Sequence, residues 1–323
     1  MDRRRAHDVS LPLRIATRGS TLARWQAEHV AALLRRAHGD ELAVELVIVE
    51  TLGDRRQDVP LDRIGGRGVF VKEVQAAVLD GRADLAVHSA KDLPSSPALA
   101  PAGLAIVAVP ERGDPRDVLV GAALADIPPG GLVATGSARR RALLADLRPD
   151  LTFAGLRGNI DTRLAKAPAF AAIVMAIAPL QRLGLEHHIA QVLEPHEMLP
   201  QVGQGALALE CRTGDGAVAD LVAPLDHASS RQAVDAERGF LAALGGGCDL
   251  PVAAHAVHAA DGSLSMSGLL ATFDGRQVLG HRLSAERGSD PTQLGAALAA
   301  HLLDAGGRWL LEEAGLAPAG AGS

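Results

Sequence analysis

Apolar and polar positions follow two rhythms along this chain. Short apolar, β-branched runs such as LPLRIAT (11–17), ELAVELVIVE (41–50) and ADLAVHS (83–89) have the length and composition of strands. Between them, apolar residues recur three to four apart. One such segment starts at Ser20 and runs to about His38, with Gly39 as its stop. Another is VFVKEVQAAVLDG (69–81), with Gly81 as its C-cap residue. Residues 53–68 lack either period, end in GGRG and read as a loop. Strand, helix, strand, helix, strand predicts a mostly parallel sheet with helices on its faces.

The rhythm restarts near residue 131. GLVAT, SARRRALLADL, DLTFAGL, NIDTRLAK, FAAIVMAIA and PLQRLGL again alternate strand and helix. RIATRGS (14–20) and VATGSARR (133–140) each place Ala-Thr at a strand end and Ser at a helix start. The pattern predicts two similar, doubly wound α/β domains, and ligands bind at the carboxyl ends of strands in such sheets. The last hundred or so residues differ. A helix over about 231–243 leads into a glycine-rich turn, strands follow at about 252–258, 264–272 and 277–284, and a final helix spans about 291–314. That is a smaller C-terminal α+β domain, followed by a frayed Ala/Gly/Ser tail.

Length and composition narrow the function classes. The chain has 323 residues, 48% of them hydrophobic, enough for two or three domains. A net charge of -6 gives no reason to expect a nucleic-acid or anionic-membrane partner. No apolar run is long enough to span a bilayer. The start, MDRRRAHDVSLPLRIATR, has charge but no apolar core before a cleavage site, so a cytoplasmic protein is expected. The two cysteines, Cys211 and Cys248, form no zinc or CxxC pattern, and no HxxxH occurs, so no metal site is expected. Three lysines stand against 29 arginines, so a lone arginine says little and its position must carry the argument.

AVHSAKDLP (86–94) puts Ser89, Lys91 and Asp92 at the end of an apolar strand that Pro94 stops. This is either a surface turn or a carboxylate beside an ammonium, able to move a proton or stabilise a cation. In the second reading Lys91 holds Asp92 ionised and desolvation opposes it. Arg18, Arg139, Arg140, Arg157 and Arg163 cluster at strand-to-helix turns, with Ser20, Thr135 and Ser137 among them. Arg182 follows in PLQRLGL, and Arg67 and Phe70 lie in IGGRGVF. Each arginine alone fits a solvated face. Several at helix starts, where the dipole repels cations, imply an external anion, small and multiply charged. GGRG completes neither a P-loop nor a dinucleotide fingerprint. LGGGCDLPV presents Cys248 after three glycines, either as an incidental thiol at a C-cap or as a nucleophile or covalent anchor.

RIATRGS, GGRGVFVKE, DLAVHSAKDLP, RGDPRDVLV, ATGSARRRALL, LRGNIDTRL, RLGL, LPQVGQGALALECR and LGGGCDLPVAAHA occur in this order over residues 14 to 256. Together they resemble the hydroxymethylbilane synthase (porphobilinogen deaminase) family. The resemblance implies a transferase of tetrapyrrole (porphyrin and heme) biosynthesis. Such an enzyme condenses four porphobilinogen molecules, with loss of ammonia, on a dipyrromethane cofactor, then releases hydroxymethylbilane. It implies a covalent thioether between that cofactor and Cys248, and catalysis by Asp92. Cofactor binding falls on Ser89, Lys91, Thr135, Ser137, Arg139, Arg140, Arg157 and Arg163. Substrate binding falls on Arg18, Ser20, Arg67, Phe70 and Arg182.

The implied fold is periplasmic-binding-protein-like, with domains at 1–107 plus 203–222, 110–200 and 225–323, and a hinge near 108–110 and 200–204. A monomer is expected, with neither nucleic acid nor membrane as partner. The chain departs from the family pattern at several positions. Arg67 and Arg63 stand for common basic residues, Thr21 for Pro, Gly136 for Ser, Ala90 for a larger apolar residue and Pro179 for Gly. Asp249 follows the cysteine where Gln or Thr is frequent. Two other readings remain: a hinge-type binding protein for small anions, because fold alone does not define function, and a relative of the synthases without activity.

Overall fold

The computed structural model describes residues 12–51, 71–96, 99–245 and 250–313. Its strands are β1 (Leu13–Arg18), β2 (Val44–Val49), β3 (Leu85–Ser89), β4 (Leu104–Ala108), β5 (Asp117–Val120), β6 (Leu132–Ala134) and β7 (Thr152–Ala154). They continue with β8 (Ala172–Ala176), β9 (Ile189–Leu193), β10 (Leu207–Arg212), β11 (Val252–His258), β12 (Leu264–Ala271) and β13 (Val278–Ala285). The chain forms two compact units. The first comprises Met1–Pro94, Ala100–Arg112 and Ala206–Arg231; the second comprises Ser95–Leu99, Gly113–Gly205 and Gln232–Ser323.

The first unit holds a sheet of order β2-β1-β3-β10-β4. β1 pairs in parallel with β2 and β3, and β10 runs antiparallel to β3 and β4. Successive side chains point to opposite faces. Ile15, Leu85 and Val87 therefore pack against Ala27, Val30 and Leu34 of the helix Thr21–His38. Ala16 and Ala86 pack against Val74, Ala77 and Val78 of the helix Lys72–Leu79. Burial on both faces is why these strands read as continuous apolar runs.

The second unit repeats the plan with order β7-β6-β8-β5-β9. β6 is parallel to β7 and β8, and β5 is antiparallel to β8 and β9. In both sheets the antiparallel insert follows a return of the chain to the unit: β5 after Gly113, β10 after Ala206. Four of the five strands in each sheet thus run the same way, the mostly parallel arrangement expected, and one inserted strand runs against them. The strand–helix alternation carries the parallel strands, and each inserted strand pairs with strands distant from it in the chain, β5 with β8 and β9 and β10 with β3 and β4.

The second unit also contains the antiparallel sheet β11-β12-β13. One side packs Val252, Ala254 and Met266 against Phe240, Leu294 and Leu298 of the flanking helices. The other side adds Ala253, Leu269 and Ala271 to the core of Leu119, Val133, Leu144 and Met198. The expected second and third domains therefore share a core within one unit. The single final helix expected over 291–314 is interrupted. Helices Pro291–Leu302 and Arg308–Glu313 flank Gly306, whose φ of 112° is left-handed.

Candidate active site

Candidate groups lie at the carboxyl ends of parallel strands in each unit. In the first, β3 ends at Ser89 and a single 3₁₀ turn, Ala90–Asp92, follows. Ala90 N donates to Ala206 O at 3.0 Å and Leu93 N to Ala90 O at 3.3 Å. Ala90 and Leu93 are buried, so the turn is pinned on both sides of an exposed Asp92 and a half-buried Lys91. Ser89 Oγ accepts from Gln26 Nε2 at 3.0 Å, which leaves the hydroxyl proton available to a ligand.

At the end of β1, Arg18 is half-buried and Ser20 caps the following helix, its Oγ accepting from Ala23 N at 3.3 Å. Thr17 Oγ1 donates to Ala23 O at 3.0 Å, fastening the same turn from inside. Within the interior, Glu210 Oε2 accepts from Gln75 Nε2 at 2.9 Å and lies 3.1 Å from His88 Nε2.

In the second unit, Thr135 follows β6. Its N–H donates to Ala154 O at 2.9 Å, and its Oγ1 accepts from Ser137 N at 3.1 Å. Ser137 caps the helix Ala138–Leu147 by accepting from Arg140 N at 3.4 Å. Both hydroxyls have a lone pair engaged by the backbone and a proton left to donate. Gly136 lies between them. A Cβ there would sit 2.7 Å from Leu156 O, so this turn rests on the next one, residues 156–159, backbone against backbone. In that second turn Asn159 caps the helix Ile160–Lys166, its Oδ1 accepting from Thr162 N at 2.9 Å. Arg157 is exposed, and Arg163 Nε donates to Gly158 O at 2.8 Å. Thr135, Ser137 and Arg157 thus belong to two adjoining turns, and Arg163, in the last turn of its helix, reaches back to the second of them.

Arg139 and Arg140 turn inward instead. Asp117, at 0% exposure, accepts from Arg139 Nη2 at 2.7 Å through Oδ2 and from Arg140 Nε at 3.0 Å and Nη2 at 2.7 Å through Oδ1. Arg139 Nη1 donates to Leu199 O at 2.7 Å and Arg140 Nη1 to Val174 O at 3.3 Å. Burial alone would raise the Asp117 pKa, but the two guanidiniums outweigh it and hold it at about 2. For these two residues the anion at the helix start is internal, the Asp117 carboxylate, and not the external one expected.

Arg182 also departs from that expectation. It stands in the last turn of its helix, Ile177–Leu183, where the dipole favours a cation. Its Nη2 donates to Gly205 O at 2.7 Å, and burial lowers its pKa to about 10, which leaves it charged at neutral pH.

Cys248, Arg67 and Phe70 lie outside the described residues, as do Arg63 and Asp249. The other cysteine is described. Cys211 is 1% exposed on β10, and burial pushes its thiol up to about 11, which disfavours the thiolate at neutral pH. Sequence reasoning passed over Asp117, Gln204, Gln26 and Glu210. Asp117 and Gln204 stand inside the quoted motifs RGDPRDVLV and LPQVGQGALALECR, and the signal for Asp117 was a charge opening an apolar strand.

These turns define the class: an α/β protein whose candidate polar groups gather at strand ends, where open sheets bind ligands. The chain belongs to the porphobilinogen deaminase family. Residues 13–220 match the porphobilinogen deaminase dipyromethane cofactor binding domain, and residues 231–304 match the porphobilinogen deaminase C-terminal domain. It is 46% identical over 309 residues to a porphobilinogen deaminase of Syntrophobacter fumaroxidans, covering 93% of this chain and 97% of that one. It is 48% identical over 305 residues to one of Roseiflexus castenholzii, covering 93% and 98%. Among solved structures, it is similar to the VFT2 domain of Bordetella pertussis BvgS, at 19% identity and a TM-score of 0.37, covering 65% of this chain and 84% of that one.

The described residues fit a dipyrromethane group, which is anionic through its acetates and propionates. Thr135 and Ser137 offer hydroxyl protons beside Arg157 and Arg163. Beneath them two guanidiniums meet one carboxylate, and among the described residues the buried Arg139 Nε has no hydrogen-bond partner.

Proposed function

We propose that this chain is a hydroxymethylbilane synthase. It joins four porphobilinogen molecules head to tail on a dipyrromethane held by Cys248 through a thioether, releases ammonia at each addition, and hydrolyses the linear tetrapyrrole free. The observation that carries the reading is the pinned turn that exposes Asp92, in a chain that belongs to this family over nearly its whole length.

Asp92 carries the chemistry. In its acid form it protonates the amine that leaves porphobilinogen; as a carboxylate it stabilises the azafulvene cation that remains. Ser89, Lys91, Thr135, Ser137, Arg157 and Arg163 hold the cofactor carboxylates. Arg139 and Arg140 support them as charge beneath the turn, since Asp117 occupies their forks. Arg18, Ser20, Arg67, Phe70 and Arg182 bind the incoming substrate. The cofactor supplies a nucleophilic pyrrole carbon for the first addition.

Three functional domains follow the division 1–107 with 203–222, 110–200 and 225–323. The protein acts as a cytoplasmic monomer without a nucleic-acid or membrane partner. Among the described residues no helix is long and apolar enough to cross a membrane.

Intact mass and a porphobilinogen assay test the reading together. The wild type should carry a dipyrrole and consume porphobilinogen. Cys248→Ala should lose both properties, and Cys211→Ser should keep both. An unmodified wild type that binds the ligand without turnover would overturn the reading and favour a binding protein.

A further inference from the structure

The buried charge cluster of the second unit has a geometry that the binding of an anion does not by itself require. Asp117 opens the inserted strand β5, in register with Ala176 of β8 and Leu193 of β9. Its carboxylate meets the first turn of the helix Ala138–Leu147 through Arg139 and Arg140. It also meets Gln204, whose Nε2 donates to Asp117 Oδ1 at 2.9 Å and to Pro115 O at 2.6 Å. Gln204 Oε1 in turn accepts from Arg140 Nη2 at 3.4 Å. One carboxylate therefore ties together the start of β5, the segment 199–204 and a helix start.

That helix start carries the turn with the Thr135 and Ser137 hydroxyls. Ser137 Oγ accepts the N–H of Arg140, whose side chain Asp117 grips twice. Ser137 N donates to Thr135 Oγ1, so the restraint continues to the end of β6. A shift of Arg140 moves the cap, and the cap moves both hydroxyls.

We propose that Asp117, with Gln204, is the positioning residue of the cofactor-binding turn, setting Thr135 and Ser137 at the spacing the dipyrrole carboxylates need. This inference rests on the proposed function. It differs in sign from a purely electrostatic role. If the cluster acted only as charge, neutralising its one carboxylate would leave two uncompensated guanidiniums and favour an anionic cofactor. Positioning predicts the reverse, because an amide at 117 keeps one acceptor oxygen and turns an NH2 toward the other guanidinium, so the pair no longer shares one group and its separation carries the turn with it.

Asp117→Asn, Asp117→Glu and Gln204→Leu are purified beside the wild type. Dipyrrole occupancy of the folded fraction is read by intact mass, the KM for porphobilinogen by turnover, and folding by the thermal midpoint. Asp117→Asn should leave only a minority of folded molecules loaded and should raise KM. Asp117→Glu, which restores the charge, should recover part of the occupancy. Gln204→Leu leaves every charge in place and should show a smaller loss of occupancy; it decides the question if Asp117→Asn does not fold. Wild-type or increased occupancy in Asp117→Asn, or wild-type occupancy in Gln204→Leu where Asp117→Asn is unfolded, overturns the inference. A wild type that carries no dipyrrole overturns the proposed function and this inference with it. Loaded variants beside a loaded wild type overturn this inference alone.

Discussion

Asp92 and Asp117 are carboxylates in opposite surroundings, and their surroundings assign their work. Asp92 is exposed on a turn fixed by buried neighbours, free to meet a substrate; Asp117 is fully buried and committed to two arginines. Asp92→Asn removes the titratable proton and the charge while keeping the shape. It should retain the dipyrrole by mass and lower turnover about 100-fold or more; near-normal turnover would remove Asp92 from its role. Gly136 is the second informative residue. Its missing Cβ lets the turn reach Leu156 O, so Gly136→Ser should destabilise the protein by about 1–3 kcal/mol, read by denaturant unfolding. At this level the motifs were legible and their partners were not. SARRR shows two arginines at a helix start, but nothing in that segment says that a carboxylate some twenty residues earlier occupies both.

Helix starts are where local sequence was most informative. Ser20, Ser137 and Asn159 each cap a helix through a side-chain oxygen, and the hydrogen bond of such a cap joins residues two or three apart in the chain. Ser137→Ala should cost about 1 kcal/mol of stability and weaken cofactor loading, since one hydroxyl serves both purposes. Intact mass and thermal unfolding separate the two effects: a stability loss with unchanged loading would leave Ser137 a cap only. Strand direction was less legible. β5 and β10 are apolar runs like their neighbours, yet both are antiparallel inserts. A strand's periodicity records which faces are buried and carries no mark of the direction of the strands beside it.

For the whole molecule, ion pairs of buried and half-buried carboxylates make stability depend on acid. Asp117 is held at about 2, and Asp84 and Asp114 are also lowered; burial opposes the shift in each, and the bonds to Arg14 and Arg116 outweigh it for the latter two. A carboxylate depressed by folding gives its full stabilisation above its unfolded value near 4 and loses it as pH falls toward the folded value. Stability should therefore fall between about pH 4 and pH 2 and be nearly flat above that interval as far as these groups decide it. Thermal midpoints measured across that range check the sign, and Asp117→Asn should flatten part of the slope.

The order of strands and helices, the caps, the motif chain and the inert or reactive character expected of a turn are properties of neighbouring residues. The chain carries them in plain view, and they were enough to place it in its family. Three further matters needed the folded molecule: the antiparallel inserts, the core shared by the second and third expected domains, and the pairing of Asp117 with Arg139, Arg140 and Gln204. Each joins stretches far apart in sequence, and its energy depends on distance and burial, which exist only once those stretches have packed.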